Sequence, residues 1–216
     1  MKLVFISDTH GLHQKLKDLN GDIIIHAGDV SGRGKKAEIV EFLNWYGALD
    51  FKYKIFIAGN HDFYFEQASE REIKELIPDD IIYLNDSGTT IDNLNIWGSP
   101  IQPTFYNWAF NRDRGVDIKK HWDLIPDNTD ILITHGPPFG ILDKTTANLN
   151  VGCKELQNKI LAVKPKIHVF GHIHEEYGVK ELNDTTFINA SVVNQAYQVV
   201  NLPMEVEVEA DGRCMI

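Results

Sequence analysis

Five short apolar runs in this sequence each end in a group of residues suited to binding metal ions. Lys2–Ile6 leads to Asp8 and His10, and Asp22–Ala27 leads to Gly28-Asp29. Tyr53–Ala58 leads to Gly59-Asn60-His61-Asp62, Asp130–Thr134 to His135-Gly136-Pro137-Pro138, and Lys166–Phe170 to Gly171-His172-Ile173-His174. Carboxylate and imidazole are good ligands for divalent transition metals. Taken alone, each motif reads as a turn with a capping Asp or a satisfied histidine. Taken together, Asp8, His10, Asp29, Asn60, His135, His172 and His174 form the ligand set of a two-metal centre. Two dications roughly 3.5–4 Å apart repel strongly, so one carboxylate must be shared between them. Asp29, on the strand between the two halves of the set, is the natural bridge. The neutral oxygen of Asn60 suits a second ion without adding charge.

The elements that must position these residues alternate between strand and helix. The five runs are short, rich in Val, Ile and Phe, and closed by turn signals, as buried strands are. Ligands of open α/β sheets gather at the carboxyl ends of such strands. Leu12, Leu16 and Leu19 suggest one short helix over 12–19. Ile39, Val40, Phe42, Leu43 and Tyr46 supply a helical stripe within 35–49. Ser69 and Glu72 form a capping box that opens a helix over 69–77, with Pro78 beyond its end. Three βα units in eighty residues imply a largely parallel sheet with right-handed crossovers. The runs 81–84, 89–91 and 94–98 suggest antiparallel hairpin strands, and 100–122 an aromatic loop packed near the cleft. A helix is expected over 152–163, and antiparallel strands over 177–182, 186–190 and 205–209. Neither a repeat nor a composition break divides the chain, so residues 1–216 are expected to form a single domain.

Other reactive residues read as structural. His13 and His121 belong on solvated faces, while His26 and His168 sit within strands. Cys153 has no basic partner in view and reads as a buried apolar residue. Ser7 supports the turn at Asp8. The aromatics from Phe105 to Trp108 can stack a base, although core packing is their simpler role.

The chain carries a formal net charge of −10, with 43% hydrophobic and 24% charged residues. That composition describes a globular protein with an ample core. The negative charge argues against tight binding of long nucleic acid through a basic face. A phosphate substrate is still compatible, because bound cations reverse the field inside a cleft. Two cysteines offer no disulfide framework, which favours a reducing, cytoplasmic setting. No apolar run is long enough to span a membrane.

In their order and context, D-x-H, G-D, G-N-H-D, T-H-G and G-H-x-H resemble the calcineurin-like metallophosphoesterase superfamily. Trp97-Gly-Ser-Pro100, Tyr106-Asn-Trp-Ala-Phe-Asn-Arg112, Ile131–Pro138 and Val169–Glu175 are similar to its branch of metallophosphoesterase-domain-containing proteins. The resemblance implies an α/β (α+β) fold: a four-layer αββα sandwich of two mixed sheets flanked by helices. It also implies that Asp8, His10, Asp29 and His174 hold one ion and that Asp29, Asn60, His135 and His172 hold the other. The implied activity is hydrolysis of a small, nucleotide-like phosphodiester by a metal-bound hydroxide, with a phosphomonoesterase as the alternative. The implied ions are two divalent metals, Mn²⁺ favoured, with Fe, Zn, Co or Mg also suited. His61 is the candidate for protonating the leaving oxygen and Asp62 for orienting that imidazole. Asn60, His61 and Arg112 are the candidate substrate contacts. The family pattern often has a further Asp after G-D, where this chain has Val30-Ser31-Gly32-Arg33.

Overall fold

The computed structural model describes residues 1–208 and the backbone of the strand Cys214–Met215; Glu209, the last residue of one expected strand, lies outside the described residues. Thirteen strands precede that one: β1 Lys2–Ile6, β2 Ile23–Ala27, β3 Tyr53–Ile57, β4 Ile81–Tyr83, β5 Ser87–Ile91, β6 Leu94–Ser99, β7 Gln102–Pro103, β8 Asn111–Arg112, β9 Ile131–Thr134, β10 Ile167–Phe170, β11 Gly178–Leu182, β12 Thr185–Asn189 and β13 Met204–Val208. The helices are α1 Lys36–Gly47, α2 Phe63–Gln67, α3 Glu70–Leu76, α4 Val116–Trp122 and α5 Lys154–Val163. With Cys214–Met215 as β14, one six-stranded sheet has the order β14-β13-β1-β2-β3-β4, and the other β11-β12-β10-β9-β6-β5. A two-stranded ribbon joins β7 and β8.

Both large sheets are mixed. β1, β2, β3 and β4 run parallel, with β13 antiparallel on β1. In the other sheet β6, β9, β10 and β12 run parallel, while β5 and β11 are antiparallel edges. Period-two alternation explains the layers, because successive side chains of a strand point to opposite faces. Leu3, Phe5, Ile23, Ile25, Ile55 and Ile57 from the first sheet meet Ile96, Ile131, Ile133, Ile167, Val169 and Ile188 from the second. Burying each such side chain contributes roughly 1.5–3 kcal/mol. The alternate residues Val4, Ile6, Ile24 and Phe56 face α1, which buries Ile39, Phe42, Leu43 and Tyr46. Leu132, Phe170 and Phe187 likewise belong to an apolar layer with Ile118, Trp122, Leu156 and Ile160 of α4 and α5. The result is the expected four-layer αββα sandwich.

Several local expectations are corrected. Residues 12–19 form only one 3₁₀ turn, His13–Lys15, since Leu16 is already extended and Asp18 has φ +56°. One turn is too short to propagate a helix. The segment 81–84 pairs parallel with β3 as the sheet edge, because α2 and α3 act as its crossover connection. Residues 100–122 are more regular than a loop: they hold the ribbon β7–β8 and α4. The i, i+4 pair Ile118 and Trp122 buries one helix face, and Trp122 Nε1 donates to Cys153 Sγ at 3.3 Å. Strand β12 pairs parallel with β10 as well as antiparallel with β11. His13 is buried and not solvated: its ring lies 4.8 Å from that of Trp45, and burial pushes its pKa down. His121 is half-buried, its Nδ1 donating to Asp86 Oδ2 at 2.6 Å. The capping box at Ser69 and Glu72 is formed.

Two strand histidines make the core sensitive to acid. His26 and His168 are fully buried, bonded to Thr9 Oγ1 and Thr134 Oγ1, and burial pushes both pKa values down to about 3. A depressed folded pKa means the unfolded chain takes up the proton first. The stability these groups contribute is therefore complete above about pH 6.5 and is lost as the pH falls towards 3. Thermal melts of the chelated protein should be flat near neutrality and fall steeply below about pH 6. His168→Gln, which keeps the bond to Thr134, should remove about one proton from that acid slope. An unchanged slope would contradict the assignment.

Candidate metal centre

The motifs gather because β1, β2, β3, β9 and β10 all deliver their carboxyl ends to one edge of the sandwich. Backbone bonds lock the loops together there: Asp8 N–H donates to Gly28 O, His10 N–H to Asp29 O, and Gly171 N–H to His135 O. Across the two sheets, His135 Nδ1 donates to Ala27 O at 3.0 Å. That bond fixes the tautomer and aims Nε2 at Asn60 Oδ1, 2.9 Å away, and Asp29 Oδ2, 3.4 Å away. Asp8, His10, Asp29 and His172 all have positive φ, from 44° to 67°. Left-handed backbone in non-glycine residues costs roughly 1–3 kcal/mol each and collects where function demands a fixed geometry.

Asp29 occupies the middle. Its Oδ1 accepts the His61 N–H at 2.8 Å, while Oδ2 lies 3.4 Å from His135 Nε2, 3.7 Å from His10 Nε2 and 4.0 Å from His61 Nε2. Asp8 lies beside it: Oδ1 is 3.5 Å from His174 Nε2, and both of its oxygens accept the His172 N–H. His10 Nε2 and His174 Nε2 are 3.4 Å apart. The donors fall into three compact sets: Asp8, His10 and His174; Asp8, Asp29 and His135; His10, Asp29 and His61. His172 stands just outside them, its ring centroid 5.0 Å from that of His135. Sequence reasoning did not place His61 this close to Asp29, nor Asp8 beside His135.

The donors fit divalent metal ions. Ligand bonds of about 2.0–2.2 Å put neighbouring donors about 3.0–3.5 Å apart around a tetrahedral or octahedral ion. The His135–Asp29, His10–His174 and His174–Asp8 separations all match that edge. The same distances are too long for good hydrogen bonds. Electrostatics agree. Burial alone would raise the Asp8 and Asp29 pKa values, yet neighbouring histidines hold both carboxyls well below the usual range. Burial would lower His135, but Asp29 lifts it to about 9, so an ion binding its Nε2 has to displace a proton. Burial brings His10 down to about 4 and His172 down to about 3, which keeps those imidazoles free to ligate.

Glycines leave room for the ligands. A Cβ on Gly171 would stand 2.0 Å from Asp8 Oδ2, and one on Gly59 would stand 2.3 Å from Asp29 Oδ1.

Two site expectations change. The Asp62 carboxylate does not contact the His61 imidazole. It accepts from Val30 N, Ser31 N, Ser31 Oγ and Gly59 N at 2.6–3.1 Å, tying the Asp29 loop to the Asn60–His61 loop. Burial, with Asp29 nearby, lifts its pKa to about 6. The imidazole of His61 is held instead by Gly32 O, which its Nδ1 reaches at 2.8 Å. Arg112 is likewise committed elsewhere, donating to His121 Nε2 and Asn111 O. Core packing also fails for the aromatic tip: Phe105 and Tyr106 are exposed, while Trp108 stacks on His61 with centroids 4.2 Å apart. Tyr197, which the sequence did not single out, lies 4.8 Å from the His10 ring and 5.5 Å from the His174 ring.

Comparison with known proteins agrees with this geometry. The human metallophosphoesterase domain-containing protein 1 is 42% identical over 229 residues, spanning 95% of this chain and 70% of the human protein. A Caenorhabditis elegans protein, UPF0046 protein K07C11.7, is 35% identical and covers 94% of this chain and 74% of its own length. Among solved structures, the phosphopantetheinyl hydrolase PptH of Mycobacterium tuberculosis shares the fold at a TM-score of 0.59 and 14% identity, over 91% of this chain and 90% of that one. The calcineurin-like phosphoesterase profile spans residues 1–176, every candidate ligand among them, and this chain belongs to that family.

Proposed function

We propose that the chain is a phosphodiesterase with two divalent ions, acting on a small, nucleotide-like phosphodiester in the cytoplasm. Asp8, His10, Asp29 and His174 would hold one ion, and Asp29, Asn60, His135 and His172 the other, with Mn²⁺ favoured. When bound, such ions polarise the phosphoryl oxygens and activate the attacking water. The observation that carries the reading is the convergence of buried imidazole and carboxylate donors on Asp29. His61 serves the leaving oxygen. Its Nδ1–H is given to Gly32 O and its face rests on Trp108, so Nε2 is held towards the cluster. Asp62 positions both loops through backbone amides.

A diester suits the aromatic and amide side chains that stand near the cluster, while Arg112 is bonded to His121, and Arg114 to the carbonyls of Val151 and Gly152. The test compares bis-p-nitrophenyl phosphate with p-nitrophenyl phosphate after chelation and single-metal add-back. Chelation should abolish turnover, Mn²⁺ should restore it best among Mn, Fe, Zn, Co and Mg, and kcat/KM should be larger for the diester. Faster monoester hydrolysis would make the chain a phosphomonoesterase. Among the described residues no helix is long and apolar enough to cross a membrane.

A further inference from the structure

We propose that the open cavity beside His174, walled by the turn that leads into Tyr197, is the subsite for the ester group that stays on phosphorus when a diester is cleaved. This rests on the diesterase reading and adds the chemistry of the retained group: an uncharged planar ring with hydrogen-bonding substituents. The cavity measures about 480 Å³ and is lined by His174, Glu175, Tyr177, the Asn194–Ala196 turn, Val200 and Asn201. A volume in the range of roughly 300–1,000 Å³ is typical of small-molecule sites. His174 is a candidate metal ligand, so this space opens directly from the cluster.

The wall is built. Asn194 Oδ1 accepts from Ala196 N and Gln198 N, both at 3.0 Å, and Tyr197 N–H donates to Asn194 O at 2.9 Å. Ser7 pairs with Ser191 and Val193 with Val199, anchoring the turn to the end of β1. The turn holds Tyr197 at φ +55°, a strained setting for an aromatic residue, with its ring edge-on to His10 and His174 and 46% of the residue exposed. Strain kept at the mouth of a ligand cluster points to use rather than packing. Among the described residues no Lys or Arg lines the cavity, and Glu175 does; a second phosphate is therefore repelled, whereas a group bearing hydroxyl or amine donors is accepted. His61 and Trp108 mark the leaving-group side, since Trp108 stacks on His61, and Tyr197 is closer to His10 and His174 than to His61. That leaves the His174 side for the retained group.

Two p-nitrophenyl diesters with the same leaving group isolate this contact. Bis-p-nitrophenyl phosphate retains a ring, whereas ethyl p-nitrophenyl phosphate retains an ethyl group. The Mn²⁺-loaded wild-type protein should have a KM at least tenfold lower for the bis-aryl ester. Ala196→Trp, which fills the cavity, and Tyr197→Gly, which removes the ring and relieves the positive φ, should each shrink that ratio below threefold. Both variants should keep wild-type metal content, and Tyr197→Gly should melt no lower than wild type. A ratio near one in the wild type, or one retained by both variants, overturns the subsite while the diesterase reading stands. Loaded wild-type protein that cleaves neither diester overturns both. A drop in melting temperature for Tyr197→Gly, with the ratio intact, would make Tyr197 a packing residue.

Discussion

Replacing Asp29 with alanine should strip metal from the protein and abolish turnover, the largest single effect expected in this chain. Asp29 is 2% exposed, and its Oδ2 is within 4.0 Å of His135, His10 and His61 nitrogens. Without its charge the imidazoles face one another uncompensated, and two cations would have no shared carboxylate to offset their repulsion. Loss of a group that supports a ligand from behind commonly costs 10–100-fold in metal affinity, and losing a shared ligand should exceed roughly that range. The alanine variant also leaves the His61 amide without its acceptor, at about 1–3 kcal/mol. Asp29→Asn separates the two effects, because the amide oxygen can still accept from His61 while the charge is gone. Elemental analysis should find both variants well below two ions per chain. Full loading of Asp29→Asn would show that the carboxylate is not the bridge.

His61→Ala should behave differently: two ions retained, and kcat reduced by roughly 10²–10⁴, the usual worth of a positioned proton donor. The geometry makes this a sharp test, since His61 Nε2 also lies 4.0 Å from Asp29 Oδ2, within one of the compact donor sets. Loss of one ion in the variant would make His61 a ligand and not an acid. Undiminished kcat would remove it from catalysis altogether. Trp108→Ala should lose part of the same kcat, because the stacked indole and the Gly32 carbonyl together hold the imidazole.

Much of the fold was legible because its signals are local. A short apolar run ending in Gly-Asp or Gly-His states both the strand and the place where it stops, and five such runs with parallel pairing put their ends on one edge. Capping at Ser69 is local too. What failed depended on distant partners. The periodicity of 12–19 is a helix on paper, yet the chain leaves the Asp8–Gly11 turn too soon for one to propagate. His13 looked polar and is buried, since α1 brings Phe42 and Trp45 against its ring.

By itself, the sequence determined which residues can bind cations and that they sit at strand ends, because ligand chemistry and strand termination are properties of short segments. Only the tertiary structure decided what those residues touch. Asp62 braces two loops instead of the His61 ring, Arg112 turns to His121, and Tyr197 reaches His10 and His174 from a turn nearly two hundred residues along the chain. The physical reason is that side-chain partners at this edge come from strands far apart in sequence, brought together by the packing of two sheets across one apolar interface.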